Sequence, residues 1–189
     1  SGVQQLGSES PQVRIAGVYS LADVADTYRG EYRQRVVSIL CGYLRTQRGE
    51  WETAVSEQDG PEQSSEEKVY VSHDGAVEST VLEVLVRHLR KRREKTKHRE
   101  AVVTQLVEDD QLWCDCTIDL HDAVLTEIAD FGGATFTNAH FQDATFTRSA
   151  PPKGLPPGRV DEDGLPHGAR WADADDEGLE AGSPDDAPR

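Results

Sequence analysis

The run FGGATFTNAHFQDATFTR, residues 131–148, carries a period that belongs to neither a helix nor an ordinary strand. Phe131, Phe136, Phe141 and Phe146 lie five residues apart, and an alanine precedes each by two places: Ala129, Ala134, Ala139 and Ala144. A helix repeats about every 3.6 residues and a strand about every two. Leu125 and Leu120 extend the large position backwards, with Ala123 and Ile118 at the small one. One inserted residue, Ile128, shifts the frame and predicts a local bulge. Six units result: IDLHD, AVLTE, ADFGG, ATFTN, AHFQD and ATFTR.

A chain that turns a corner at every unit satisfies this period. Each unit then forms one side of a square coil, and successive coils stack at the strand spacing of about 4.8 Å. The large and small residues both point inward. The expected core is therefore Ile118, Leu120, Ala123, Leu125, Ala129, Phe131, Ala134, Phe136, Ala139, Phe141, Ala144 and Phe146. Thr, Asp, Asn and Gln between them face water. Large residues are expected to stack from coil to coil, and such a solenoid buries a core only by stacking.

These units resemble the pentapeptide-repeat family, whose motif is A-(D/N)-L-x-x with Phe often in place of Leu. The resemblance covers roughly residues 118–148. It is strong at the central and alanine positions and partial between them, where Asp119, Asp130 and His140 occur but Val124, Thr135 and Thr145 do not. It implies a right-handed quadrilateral β-helix with four units per coil, and it carries over no catalytic residue. The segment QLGSESPQVRIAGVYSLADVAD is similar to the stretch before the repeats in actinobacterial proteins of this kind, in which membrane helices often come earlier still. VRIAGVYSLADVA also resembles the second helix of a HEAT-type repeat, with Val13, Ile15, Ala16 and Leu21 as packing residues.

Ahead of the repeats the periodicity is helical. Ser10 and Pro11 suit a helix start, and Ile15, Val18, Tyr19, Ala22 and Ala25 follow helical spacing up to a break at Gly30. Val36, Ile39, Leu40, Tyr43 and Leu44 line a second helix, which the short connection makes an antiparallel neighbour. Residues 48–74 are rich in Gln, Ser and Glu and predict a mobile loop. A third helix buries Val77, Val81, Leu82, Leu85 and Leu89 and runs on into a basic end. AVVTQLVEDD suggests a further short helix. After Arg148 the chain is rich in Pro, Gly and acid, with ten acidic against four basic residues beyond Ala150. That predicts a disordered acidic tail.

The fold expected is α+β. An antiparallel, HEAT-like helical region spans 1–112, a short β-solenoid 113–148 and a disordered tail 149–189. An open coil end exposes apolar side chains and strand edges, so it needs a cover. The helices are expected to cover the first end, with Trp113 as the contact. Either the Pro-rich segment or a second molecule covers the end near Phe146, which makes a homodimer through the solenoid end an expectation.

Cys41, Cys114 and Cys116 form no disulfide framework and predict reduced thiols. Cys114 and Cys116 with His121 could hold a metal, but the C-x-C spacing and the missing second pair argue against it. The six histidines, His73, His88, His98, His121, His140 and His167, stand in no nucleophile motif, and no phosphate or dinucleotide loop is present. Neither catalysis, a cofactor nor a metal is expected. Arg87, Arg90, Lys91, Arg92, Arg93, Lys95, Lys97 and Arg99 make the one dense basic run. It suits an anionic membrane surface or an acidic segment, the chain's own tail included, or it is a solvated helix end. The absence of interleaved aromatics argues against nucleic acid.

A non-catalytic protein-interaction module fits these readings best. The net charge of −15 raises a second reading. Some pentapeptide-repeat proteins are acidic rods that bind DNA gyrase in place of DNA, but a coil and a half is short against a duplex turn of about 34 Å. Met is absent, so the chain reads as a fragment or processed product of a cytoplasmic protein, membrane-associated if upstream helices precede Ser1.

Overall fold

A computed structural model describes residues 1–54, 67–97 and 101–172. Four helices lead: α1 (Gly2–Leu6), α2 (Pro11–Thr27), α3 (Glu31–Arg45) and α4 (Gly75–Leu89). Pro11 occupies the first turn of α2, where its missing N–H costs nothing. Gly30, at φ 66, separates α2 from α3. α2 packs against the other three helices. At Gly17 a Cβ would lie 2.9 Å from the Gly2 carbonyl, so α1 rests directly on the α2 backbone. Val18, Ala22 and Ala25 of α2 are buried, as are Val36, Leu40 and Leu44 of α3 and Val77, Val81, Leu82, Leu85 and Leu89 of α4. Tyr19, read from spacing as a core position, is half exposed, and Val13 and Ala16, expected to pack, are exposed, whereas Leu21 is buried as expected.

Three sequence expectations change. The mobile loop at 48–74 contains an antiparallel hairpin, β1 (Gly49–Ala54) on β2 (Glu67–Ser72), while residues 55–66 lie outside the described residues. The basic extension of the third helix does not exist as helix. α4 stops at Leu89, and β3 (Arg92–Lys97) pairs with β4 (Ala101–Leu106) where a short helix was expected. The cause is tertiary. The His88 carbonyl accepts from Trp113 N and the Leu89 carbonyl from Thr135 N, both at 2.8 Å, and Arg90 bridges Ala134. The repeats thereby take the last helix carbonyls, groups that a helix leaves unpaired.

From Thr117 the chain returns on itself. β5 (Thr117–Asp119) pairs in parallel with β7 (Asn138–His140), and β6 (Val124–Leu125) with β8 (Thr145–Phe146). Ile118 lies on Ala139 and Leu125 on Phe146, so one return takes four units plus the inserted Ile128. Ile128 itself is 53% exposed. The third change concerns the tail. Residues 149–172 stack on the repeats: Lys153 bridges Asp130, and β9 (Arg170–Trp171) adds to β8 in register with Thr145 and Phe146. Leu165 is buried there. Of the expected tail, only 173–189 lies outside the described residues. One continuous apolar cluster runs from the helices through the repeats to Leu165.

Candidate interaction surfaces

Corners define the repeat surface. The N–H of Ala123 donates to the Leu120 carbonyl, that of Ala134 to Phe131, and that of Ala144 to Phe141. Each closes a four-residue turn whose third residue has positive φ: Asp122 (58°), Gly133 (72°) and Asp143 (58°). Glycine and short polar residues tolerate that region best. The last position of these units, read from sequence only as solvent-facing, therefore also sets the turn.

The core positions lie as follows. Ile118, Leu120, Ala123, Leu125, Ala129, Phe131, Phe136, Phe141, Ala144 and Phe146 are buried, and Ala134 and Ala139 are partly buried against them. Leu125, Phe146 and Trp171 occupy one column through three strand levels. The Phe rings also meet around the axis, which the coil-to-coil picture omits. Phe131 meets Phe136 edge-on at 5.5 Å and Phe141 at 5.8 Å, and Phe141 lies 6.5 Å from Phe146.

The first edge is closed by side chains of the helical region. Gln34 on α3 imitates a strand, accepting from Thr117 N at 2.8 Å and donating to Thr117 O at 3.1 Å. Arg33 donates to three carbonyls: Ala25 at 3.1 Å, Leu112 at 2.8 Å and Asp110 at 2.8 Å. Glu78, fully buried, accepts from Thr126 N at 2.7 Å, Glu127 N at 2.9 Å and Thr126 Oγ1 at 3.1 Å, and pairs with Arg48. Arg48 also donates to the Leu44 and Val124 carbonyls at 3.0 and 2.7 Å. Burial and then the Glu78 charge push the Glu127 carboxyl up.

Trp113, fully buried, stacks on His88 at 3.9 Å and donates to Asp26 at 3.0 Å. Both His88 ring nitrogens face acceptors, the Val84 carbonyl at 2.7 Å and Asp26 at 3.1 Å. Burial alone would raise the Asp26 carboxyl. The His88 hydrogen bond and charge, the Trp113 bond and the Arg33 charge outweigh it and hold that carboxyl low.

The far end is closed by the segment 149–172. Arg159 donates to the Phe136 carbonyl at 3.1 Å and lies 5.9 Å from that ring. Phe131 N donates to Lys153 O at 2.7 Å, and Gly154 meets the backbone of Gly132.

The basic run is divided. Arg90 is tied to Asp130, donating to its carbonyl at 2.6 Å, and Lys91 pairs with Asp109 at 2.9 Å. Arg87 on α4 and Arg92 at the start of β3 are exposed. Arg93, Lys95 and Lys97 belong to the β3 backbone, and Arg99 lies outside the described residues. Arg87, Arg90 and Arg92 line one groove of about 730 Å³ with Leu82, Val86 and Ile128. A second cavity, of about 630 Å³, lies between Arg14, Tyr43, Arg48 and Asp74.

The thiols and His121 are separately engaged. Cys114 Sγ lies 3.6 Å from the Leu89 carbonyl, and His121 is 2.7 Å from Asp119. Burial, ahead of neighbouring charges, pushes both Cys41 and Cys116 up to about 11. No group of three metal-binding side chains occurs among the described residues. No helix among them is long and apolar enough to cross a membrane.

Neither a curated protein nor a solved structure matches the chain. Residues 117–151, the stretch whose corners and stacked strands are described above, match the family model of pentapeptide repeats (9 copies), and the protein carries a pentapeptide-repeat segment.

Proposed function

We propose that this chain is a non-catalytic protein-interaction module, built as a right-handed quadrilateral β-helix on a HEAT-like helical cap. One observation carries the reading: both ends of the repeats are covered, by α3 and α4 below and by residues 149–172 above. What the solenoid offers a partner is then its sides. Such faces are rigid and regular, and that suits recognition. Thr135, Asn138 and His140 are exposed along one stretch of them. A homodimer through the solenoid end would have to pack on the Pro-rich cover.

The test is a crosslinking pull-down from the native host with nuclease treatment. It compares the parent with a chain carrying Thr135→Glu, Asn138→Glu and His140→Glu. A defined protein held by the parent and lost from the variant supports the reading. Equal capture by both sinks it for this face. The second reading, an acidic mimic of DNA that binds gyrase, draws on the charge of −15. Three strand levels span only about 10 Å at the sheet spacing. Gyrase supercoiling unaffected by the purified protein would remove it.

A further inference from the structure

We propose that the groove beside Ile128 is the docking site of the chain's own acidic end, residues 173–189. This is independent of the side-face reading above. The groove is lined by Leu82 and Val86 of α4 with Ile128, and by Arg87, Arg90 and Arg92. Two carboxylates also line it, Glu83 and Asp130, the second already held by Arg90. Ile128 is the one residue inserted into the register of the repeats, and it is 53% exposed. An exposed isoleucine in a groove that it shares with three arginines and two carboxylates fits a ligand that is acidic with an apolar anchor.

Residues 173–189, DADDEGLEAGSPDDAPR, have that chemistry. They hold seven acids against Arg189 and one large apolar residue, Leu179, which lies within the sequence Asp175-Asp176-Glu177-Gly178-Leu179-Glu180.

The place where the described chain ends brings the segment close. Trp171 lies on Phe146, and Phe146 on Leu125, so Ala172 stands two levels above Thr126. That separation is about 10 Å, and Ile128 follows Thr126 by two residues. Leu179 follows Ala172 by seven residues, which span at most about 23–25 Å, so it can reach Ile128. A covalent link makes such a contact intramolecular and therefore independent of protein concentration.

Four isoleucines, Ile15, Ile39, Ile118 and Ile128, make methyl NMR a clean test. The full chain is labelled at Ile δ1 and Leu δ methyls. The docked segment gives a cross-peak between Ile128 and Leu179 that is independent of dilution. It is lost in Leu179→Ser, and in a variant with Asp175, Asp176, Glu177 and Glu180 changed to Asn or Gln. In both, the Ile128 methyl shifts while Ile15, Ile39 and Ile118 hold, which also reports an intact fold. An Ile128 signal that ignores both variants, with no cross-peak, overturns the proposal in favour of a solvated tail. A cross-peak between differently labelled copies overturns it in favour of a second chain.

Discussion

Replacing Glu78 by Gln tests whether the helices hold the first edge of the repeats. The carboxylate takes four donors: Thr126 N, Thr126 Oγ1, Glu127 N and Arg48 Nη1. An amide there turns its NH₂ toward donors and leaves the Arg48 guanidinium, 4% exposed, without a counter-charge. Removing one member of a buried pair costs about 3–5 kcal/mol. Domains of this class are stable by about 5–15 kcal/mol, so the loss is a large share of the whole. At a urea slope of about 2 kcal/mol/M the midpoint falls by about 1.5–2.5 M.

The double variant Arg48→Met, Glu78→Leu separates an edge cap from a mere ion pair. A buried pair replaced by apolar groups is commonly neutral or stabilising. Here the same replacement strips partners from Thr126 N, Glu127 N and the Val124 carbonyl. A buried backbone group left unpaired costs about 1–3 kcal/mol, and these three part-buried groups fall at the low end of that range. The double variant should therefore remain at least about 2 kcal/mol below the parent. Urea titration followed by both tryptophan fluorescence and far-UV circular dichroism measures this, coincident curves securing the two-state reading. A double variant as stable as the parent would refute the capping argument. So would a loss below about 0.5 kcal/mol in Glu78→Gln, the range of surface changes.

Phe136→Ala, at a ring packed between Phe131 and Arg159, should cost about 3–5 kcal/mol by the same titration. Gly154 and Gly164 both have positive φ, but a Cβ on Gly154 would lie 2.2 Å from Gly132 N, whereas Gly164 faces open space. Gly164→Ala should lose about 1–2 kcal/mol and Gly154→Ala about 1–3 kcal/mol more. Equal melting temperatures for the two variants would mean that residues 149–172 do not stack on the repeats. Cys41 and Cys116, pushed up to about 11, are about 0.1% thiolate at pH 8, so iodoacetamide should label the half-buried Cys114 first, as mass spectrometry would show. The raised thiols add stability below the ordinary thiol range, which is lost as pH rises toward about 11. Asp26 and Asp119 lie low because their hydrogen-bond and charge partners outweigh burial. Their stabilisation is present above the ordinary carboxylate range and lost as pH falls below it; the raised Glu127 has the opposite sign but is one group against two, so stability against pH should form a plateau with both shoulders. A flat profile from pH 3 to 10.5 would contradict these assignments.

The period of five was legible because inward alanines and rings recur at fixed spacing whatever fills the outer positions. The helix faces were legible for the same reason at another period. The two hairpins were not. GEWETA and RREKTK carry no apolar alternation, and HLRKRREK consists largely of good helix formers. Nothing local stops α4 at Leu89. Thr135 N and Trp113 N stop it, and both are distant in sequence. The segment 149–172 misled by composition, since Pro and Gly dominate it. A signal was nevertheless present: Ala169 stands two places before Trp171, and Trp171 continues the five-residue phase of Phe146.

Each end of the repeats is covered by another part of the chain. A solenoid with an open, apolar end can polymerise or recruit a partner by continuing its sheet. Here the lower edge spends its backbone groups on Gln34, Arg48 and Glu78, and the upper end spends its rings on Arg159, Leu165 and Trp171. The sides of the repeats remain uncovered, and their large exposed residues are polar except at Ile128. That one insertion breaks the repeat, costs the coil its regular spacing and leaves an apolar side chain in water beside three arginines. A side chain 53% exposed adds little to packing within the coil, and the docking proposed above would give it an apolar partner in Leu179.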